Sequence, residues 1–187
     1  MAAVRPLRAG FAIDADPAKA TAFASRLSLQ LGWPVETSTS LAAAVAASDI
    51  CVTCTTTESP LLFAEHLHAG LFVAAVGADN PAKQEIDATA LSRSRVVVDS
   101  LTACAAGGDL HHAIDASVMT AEDVHGELSA IVAGRVPGRT SRDQVFVFDS
   151  TGTALQDVAA AVVVYRRAAD ADDGLRVVLN DRHLAAG

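Results

Sequence analysis

The residues best placed to do chemistry lie in Leu71 to Lys83, LFVAAVGADNPAK, where an apolar run stops at Gly77 and an acid, Asp79, follows two residues later. A carboxylate there can give or take a proton without a metal, provided the fold holds it beside the reacting atoms. The same Asp-Asn-Pro triplet also suits an ordinary turn, and the residues alone leave both readings open. Cys51 and Cys54 have the spacing of a redox or zinc pair. They fall in the strand-like stretch ICVTC, however, where residues three apart face opposite sides, and no second pair completes a tetrahedral site. The six histidines, His66, His68, His111, His112, His125 and His183, show neither HxxxH nor HExxH spacing with an acid and read mostly as surface residues. No Gly-x-Ser-x-Gly elbow supplies a serine nucleophile. Lys83, four residues past Asp79, reads as a solvated partner of Glu85.

The elements that must hold Asp79 follow from the pattern around it. An apolar run with β-branched Val73 and Val76, bounded by turn residues, suits a strand buried on both faces of a parallel sheet. The carboxyl ends of such strands form the edge where ligands sit. Leu7 to Ile13 reads as an earlier strand, ended by Asp14-Ala-Asp-Pro17. Pro17, with Asp16 as cap, opens a helix through Leu31 that Gly32 closes. A short strand, Pro34 to Glu36, precedes a helix capped by Ser40 and the strand Ile50 to Cys54. Further on, the pattern predicts a helix over Asp87 to Arg93, a strand over Arg95 to Val98, a small-residue stretch leading to a weakly helical region around His111 and Ile114, and a helix over Glu127 to Ala133. A strand over Gln144 to Phe148, a long helix over Thr153 to Ala168 and a last strand over Leu175 to Leu179 complete it. Strand alternating with helix means an α/β fold with a doubly wound parallel sheet.

Composition narrows the function classes. A chain of 187 residues with 51% hydrophobic residues buries one substantial core. A net charge of -8 with 14 scattered Lys and Arg argues against nucleic acid or an anionic membrane as partner. No apolar run approaches the roughly 20 residues that span a bilayer, and charges at Arg5, Arg8 and Asp14 interrupt any signal-like segment. The expected location is the cytoplasm.

Four stretches together carry a family resemblance: DICVTCTTTESP (49 to 60), AVGADNPAK (75 to 83), GRTSRDQVFVFDSTG (138 to 152) and ALQDVAAA (154 to 161). The sequence resembles the ornithine cyclodeaminase/mu-crystallin family over nearly the whole chain up to Arg167. The resemblance implies a Rossmann domain that binds a nicotinamide cofactor, NAD rather than NADP, joined in full-length relatives to a domain that dimerises and holds a small amino or imino acid. Asp79 matches the family's catalytic aspartate, and Asp14 the acid that accepts hydrogen bonds from the adenosine ribose. A cap shared with Asp16 is the rival role for Asp14. Thr55, Val76 and Gly77 match residues along the cofactor, and Ser150 and Thr151 the turn that approaches the nicotinamide. No metal is implied.

The resemblance leaves several activities open: an ornithine cyclodeaminase, an alanine dehydrogenase, a ketimine or pyrroline-2-carboxylate reductase, or a binding protein like mu-crystallin. The family's Gly-x-Gly-x-Gln-Ala phosphate loop and its substrate domain lie before the position that Met1 matches, so residues 1–168 are expected to form a partial dinucleotide-binding domain, with 169–187 an acidic linker and tail. The sheet is then expected to lack its first strand. Direct pairing of Leu7 to Ile13 with Asp49 to Cys54, or pairing with another chain, is favoured over filling by the tail strand. By itself the chain is expected to bind dinucleotide poorly.

Overall fold

The computed structural model describes residue 2 and residues 4–175. Short apolar runs alternate with capped, Ala-rich segments, and the chain folds as β1 (Gly10–Ala12), α1 (Pro17–Leu31), β2 (Val35–Thr37), α2 (Leu41–Ala46), β3 (Ile50–Thr53), β4 (Phe72–Ala75), α3 (Ala88–Ser92), β5 (Arg95–Val98), α4 (Leu101–Gly107), α5 (Asp109–Asp115), β6 (Gly126–Glu127), α6 (Leu128–Val132), β7 (Phe146–Asp149) and α7 (Ala154–Asp170). Two compact units result, Met1–Thr151 and Gly152–Gly187, with α7 in the second.

The caps explain where the helices stop and start. The Asp16 carboxylate accepts the Ala18 amide at 2.9 Å, and Gly32 ends α1 at φ +74°, a left-handed conformation that costs little only for glycine. Ser40, Asp87 and Ser100 cap α2, α3 and α4 with their side-chain oxygens.

Among the described residues every strand pair is parallel. The larger sheet runs β3-β4-β7-β5-β6, so β7, late in the chain, enters between β4 and β5. Its Phe146–Asp149 pairs with Phe72–Ala75 on one side and Arg95–Val98 on the other. Leu62, Leu71, Val73, Ile86, Leu91, Val96, Val98, Leu110 and Val147 are fully enclosed around this sheet. Each contributes about 1.5–3 kcal/mol by leaving water.

Among the described residues the smaller sheet is β1-β2. Direct pairing of β1 with β3, expected from the sequence, is not what forms. α1 packs on both β1 and β2, which form a sheet of their own, and β3 pairs with β4. Phe11, Ile13, Phe23 and Val52 stay exposed as a result.

Other differences have local causes. The small-residue stretch before His111 is helical, as α4 and α5 meeting at Gly108. A Cβ on Gly108 would stand 2.7 Å from an Asp149 carboxylate oxygen, so the close approach requires glycine. The described histidines, His66, His68, His111, His112 and His125, are half-buried rather than surface residues, each with a ring nitrogen hydrogen bonded. The helix α7 runs to Asp170, past the expected linker start, and beyond Leu175 the expected tail strand lies outside the described residues. Among the described residues no helix is long and apolar enough to cross a membrane.

Candidate functional site

Parallel strands bring their carboxyl ends to one edge of the sheet. In the larger sheet, insertion of β7 places Asp149-Ser150-Thr151 between Val76-Gly77 after β4 and Asp99-Ser100 after β5. The Ser150 amide donates to the Ala75 carbonyl at 3.0 Å, and the Asp99 amide to the Asp149 carbonyl at 3.2 Å. The Ser150 hydroxyl donates to Asp99 at 2.8 Å, while the Thr151 hydroxyl is buried without a partner. Val76, by contrast, is exposed at this edge.

Asp79 stands in the exposed turn beyond β4. Its carboxylate receives Lys83 Nζ at 2.8 Å and Asn80 Nδ2 at 3.0 Å. The hydrogen bond from Lys83 is the main reason the carboxyl titrates below its ordinary value. Lys83 therefore pairs with Asp79 and not, as the sequence predicts, with Glu85. The spacing of four residues brings the ammonium to the Asp79 carboxylate, whereas Glu85 is fully buried.

Glu85 is the residue that sequence reasoning missed. Its Oε1 accepts the Thr55 amide at 2.6 Å and the Thr55 hydroxyl at 2.7 Å. Its Oε2 accepts the Thr53 hydroxyl at 2.7 Å and the Gly77 amide at 2.8 Å. Thus Thr55 and Gly77, on neighbouring strand ends, are joined through one carboxylate. A Cβ on Gly77 would lie 2.5 Å from both Glu85 Cδ and the Thr55 carbonyl oxygen, so no larger residue fits. The available signals were polar Thr53 and Thr55 closing an apolar strand, with a glycine at the end of the next.

Two more acids lie beneath the edge. Asp109 Oδ1 accepts the Glu85 and Ile86 amides at 2.7 and 2.8 Å, and its Oδ2 is buried without a partner. Asp149 accepts the Leu110 amide at 2.9 Å and the Asp109 amide at 3.3 Å. Burial is the leading cause that lifts Asp109 to about 6 and Asp149 to about 7. Burial also pushes the Cys51 thiol up to about 11 and Cys104 further still, which keeps both protonated and inert as nucleophiles. Cys51 is half-buried and Cys54 exposed, and no group of side chains able to hold a metal is present among the described residues.

Asp14 belongs to the smaller sheet, just past β1. Its Oδ1 accepts the Asp16 amide at 2.8 Å, while Asp16 itself caps α1, so the two acids have separate tasks. Asp14 lines a cavity of about 230 Å³ with Ile13, Pro17, Thr21 and Ser38. A larger cavity of about 310 Å³ has Arg93, Arg95, Asp123 and His125 on its wall, at the amino end of β5. We place the candidate site at the carboxyl edges instead, because that is where turns and unpaired groups of parallel strands converge.

Comparison with known proteins supplies the context. The sequence profile described as the ornithine cyclodeaminase/mu-crystallin family matches residues 2–172. The chain is 40% identical over 129 residues to an alanine dehydrogenase of Archaeoglobus fulgidus, covering 69% of this chain and 40% of that protein. The fold matches Thermococcus litoralis Δ1-pyrroline-2-carboxylate reductase in complex with NADH and L-proline, with a TM-score of 0.90 and 28% identity over 94% of this chain and 55% of that one. It also matches a lysine cyclodeaminase, with a TM-score of 0.84 and 30% identity over 96% and 51% of the two chains. The chain spans about half the length of the relatives it matches.

Proposed function

The chain belongs to the ornithine cyclodeaminase/mu-crystallin family, and on that premise we propose that it forms the dinucleotide-binding part of an enzyme that oxidises or reduces the C–N bond of a small amino or imino acid. The cofactor is NAD, which accepts or returns a hydride at the substrate's α carbon. The residues present fit it. Asp14 opens onto a cavity beside β1, and the buried Thr151 hydroxyl lacks a partner next to the exposed end of β4. In this reading Asp14 receives the ribose hydroxyls, and its charge, with Asp16 close by, repels a 2′-phosphate. Thr55, Val76 and Gly77 line the dinucleotide, and Ser150 and Thr151 approach the nicotinamide.

The observation that carries the proposal is Asp79, an exposed carboxylate at the carboxyl edge whose Lys83 partner favours its charged form. A charged carboxylate there takes the proton that the substrate's ammonium group must lose as the C–N bond becomes an imine, and returns it in the reverse direction. Oxidation of an amino acid, reduction of an imino acid and the oxidation that precedes ring closure in a cyclodeaminase share this step. That is why relatives with those different activities use one scaffold.

The test uses the protein produced from its own locus, assayed by NADH absorbance with NAD and alanine, proline, ornithine or lysine, and with NADH and the corresponding imino acids. Turnover with at least one substrate is expected. Asp79→Asn should lower kcat by roughly 100-fold while NAD affinity stays within about twofold. No hydride transfer with any substrate, or full activity in Asp79→Asn, would overturn the reading.

A further inference from the structure

We infer that Glu85 is a positioning residue, a buried tie that closes the segment from Gly77 to Glu85 into a loop and so fixes where Asp79 stands. The inference deepens the role proposed for Asp79, but its observable does not depend on activity. Gly77 and Glu85, eight residues apart, are hydrogen bonded to each other through the Gly77 amide and Glu85 Oε2. Between them lie Asp79, Asn80 and Lys83. Inside the loop the Ala82 amide donates to Asn80 Oδ1 at 3.0 Å, the Lys83 amide to the Asn80 carbonyl at 3.1 Å, and Lys83 Nζ to Asp79 at 2.8 Å.

Glu85 is itself anchored from several directions. Its amide donates to Asp109 at 2.7 Å, and its carbonyl receives the Leu61 and Leu62 amides at 2.8 and 3.1 Å. Its carboxylate holds Thr53 and Thr55 of the adjacent strand end as well as Gly77. The loop bearing Asp79 is therefore tied to the ends of both β3 and β4 through one side chain.

The chemistry requires a carboxylate. Two of its four donors are backbone N–H groups, Thr55 on Oε1 and Gly77 on Oε2, which cannot turn into acceptors. A glutamine amide has one oxygen and one NH2 group, so in either orientation it faces one of those N–H groups with a donor. Glu85→Gln thus keeps size and shape while breaking the tie to one strand end. A structural role confined to packing would leave Asp79 untouched. The positioning role predicts that the Asp79–Lys83 pair loosens.

The experiment is a carbon-detected NMR titration of the Asp79 carboxyl in the 187-residue chain and its variants. In the parent chain Asp79 titrates below its ordinary value. In Glu85→Gln its midpoint should rise by at least about half a unit, a roughly threefold change in proton affinity, with the amide spectrum of the core preserved. If Glu85→Gln does not fold, Thr53→Val decides, because it removes one donor and keeps the carboxylate. A smaller rise that Thr53→Ser reverses supports the inference. An unmoved Asp79 midpoint in folded Glu85→Gln, or in Thr53→Val where the glutamine variant fails, overturns it. Should Asp79 move but Asp79→Asn keep full turnover, the positioning holds and the proposed function falls. Should Asp79→Asn be inactive and Asp79 not move, only the positioning falls.

Discussion

β4 and β1 are both short parallel strands of small and apolar residues, yet Val73, Ala74 and Ala75 are all buried in β4, whereas in β1 Ala12 alone is buried and Phe11 is 42% exposed. The difference is in their neighbours. β4 has β3 on one side and β7 on the other, and its side chains join the main core. Among the described residues β1 has one partner, and α1 offers it little beyond the buried Ala20 and Ala24. A two-stranded sheet is marginal in water without further cover. Burial of a strand thus depends on the number of flanks that are filled, and similar sequence on a half-covered sheet keeps its apolar groups in solvent. On the functional reading, the reacting groups sit on the well-buried sheet and the adenosine contact on the sparse one.

The contrast is broken most directly by paired truncations. Leu62→Ala, in the enclosed core, should cost about 3 kcal/mol in denaturant unfolding, and Phe11→Ala less than about 1 kcal/mol. Equal losses would mean that the two sheets share one core. A second measurement separates the sheets by cofactor preference. Asp14→Ser should raise NADP affinity relative to NAD by about tenfold, whereas substitutions at Thr55 should weaken both alike. An unchanged ratio would remove Asp14 from the ribose.

The smallest effect is one of pH. Asp109 and Asp149 are raised above their ordinary 3.8 to about 6 and about 7, so the folded protein holds their protons more tightly than the unfolded chain does. Folding takes up protons in that window. The stabilisation is complete below about pH 4 and is lost as pH rises through about 7. Tm should fall by a few degrees between about pH 5 and 8, with Asp149→Asn flattening most of the slope. Amide exchange localised to β1 and β2 should lack that dependence. A Tm that rises over this range would refute the assignment.

Much of this was legible in local sequence. Pro17 with Asp16 and Gly32 marks both ends of α1 as they are found, and the Val96–Val98 run marks β5, because caps and apolar runs act within a few residues. Asp79 could be placed at the end of a buried strand for the same reason. Glu85 could not, since beside Lys83 it reads as one half of a solvated ion pair. Its burial depends on donors from Thr53 and Thr55, about 30 residues away in the chain. The separation of β1 from β3, and the helices α4 and α5 in an Ala- and Gly-rich stretch, likewise depend on tertiary packing that no short window contains. The parallel sheet was readable, but not the order of its strands.

That order has a consequence for how the protein is made. β4 and β5 are separated in the sheet by β7, whose Phe146 pairs with Phe72 across 74 positions of sequence. Synthesis delivers β3, β4 and β5 long before β7 emerges, so for that interval the apolar flanks of β4 and β5 have no partner. Pairings this distant slow folding and lengthen exposure to aggregation. A fragment that ends before residue 146 has the facing edges of β4 and β5 unpaired, so aggregation of such fragments is the expected outcome.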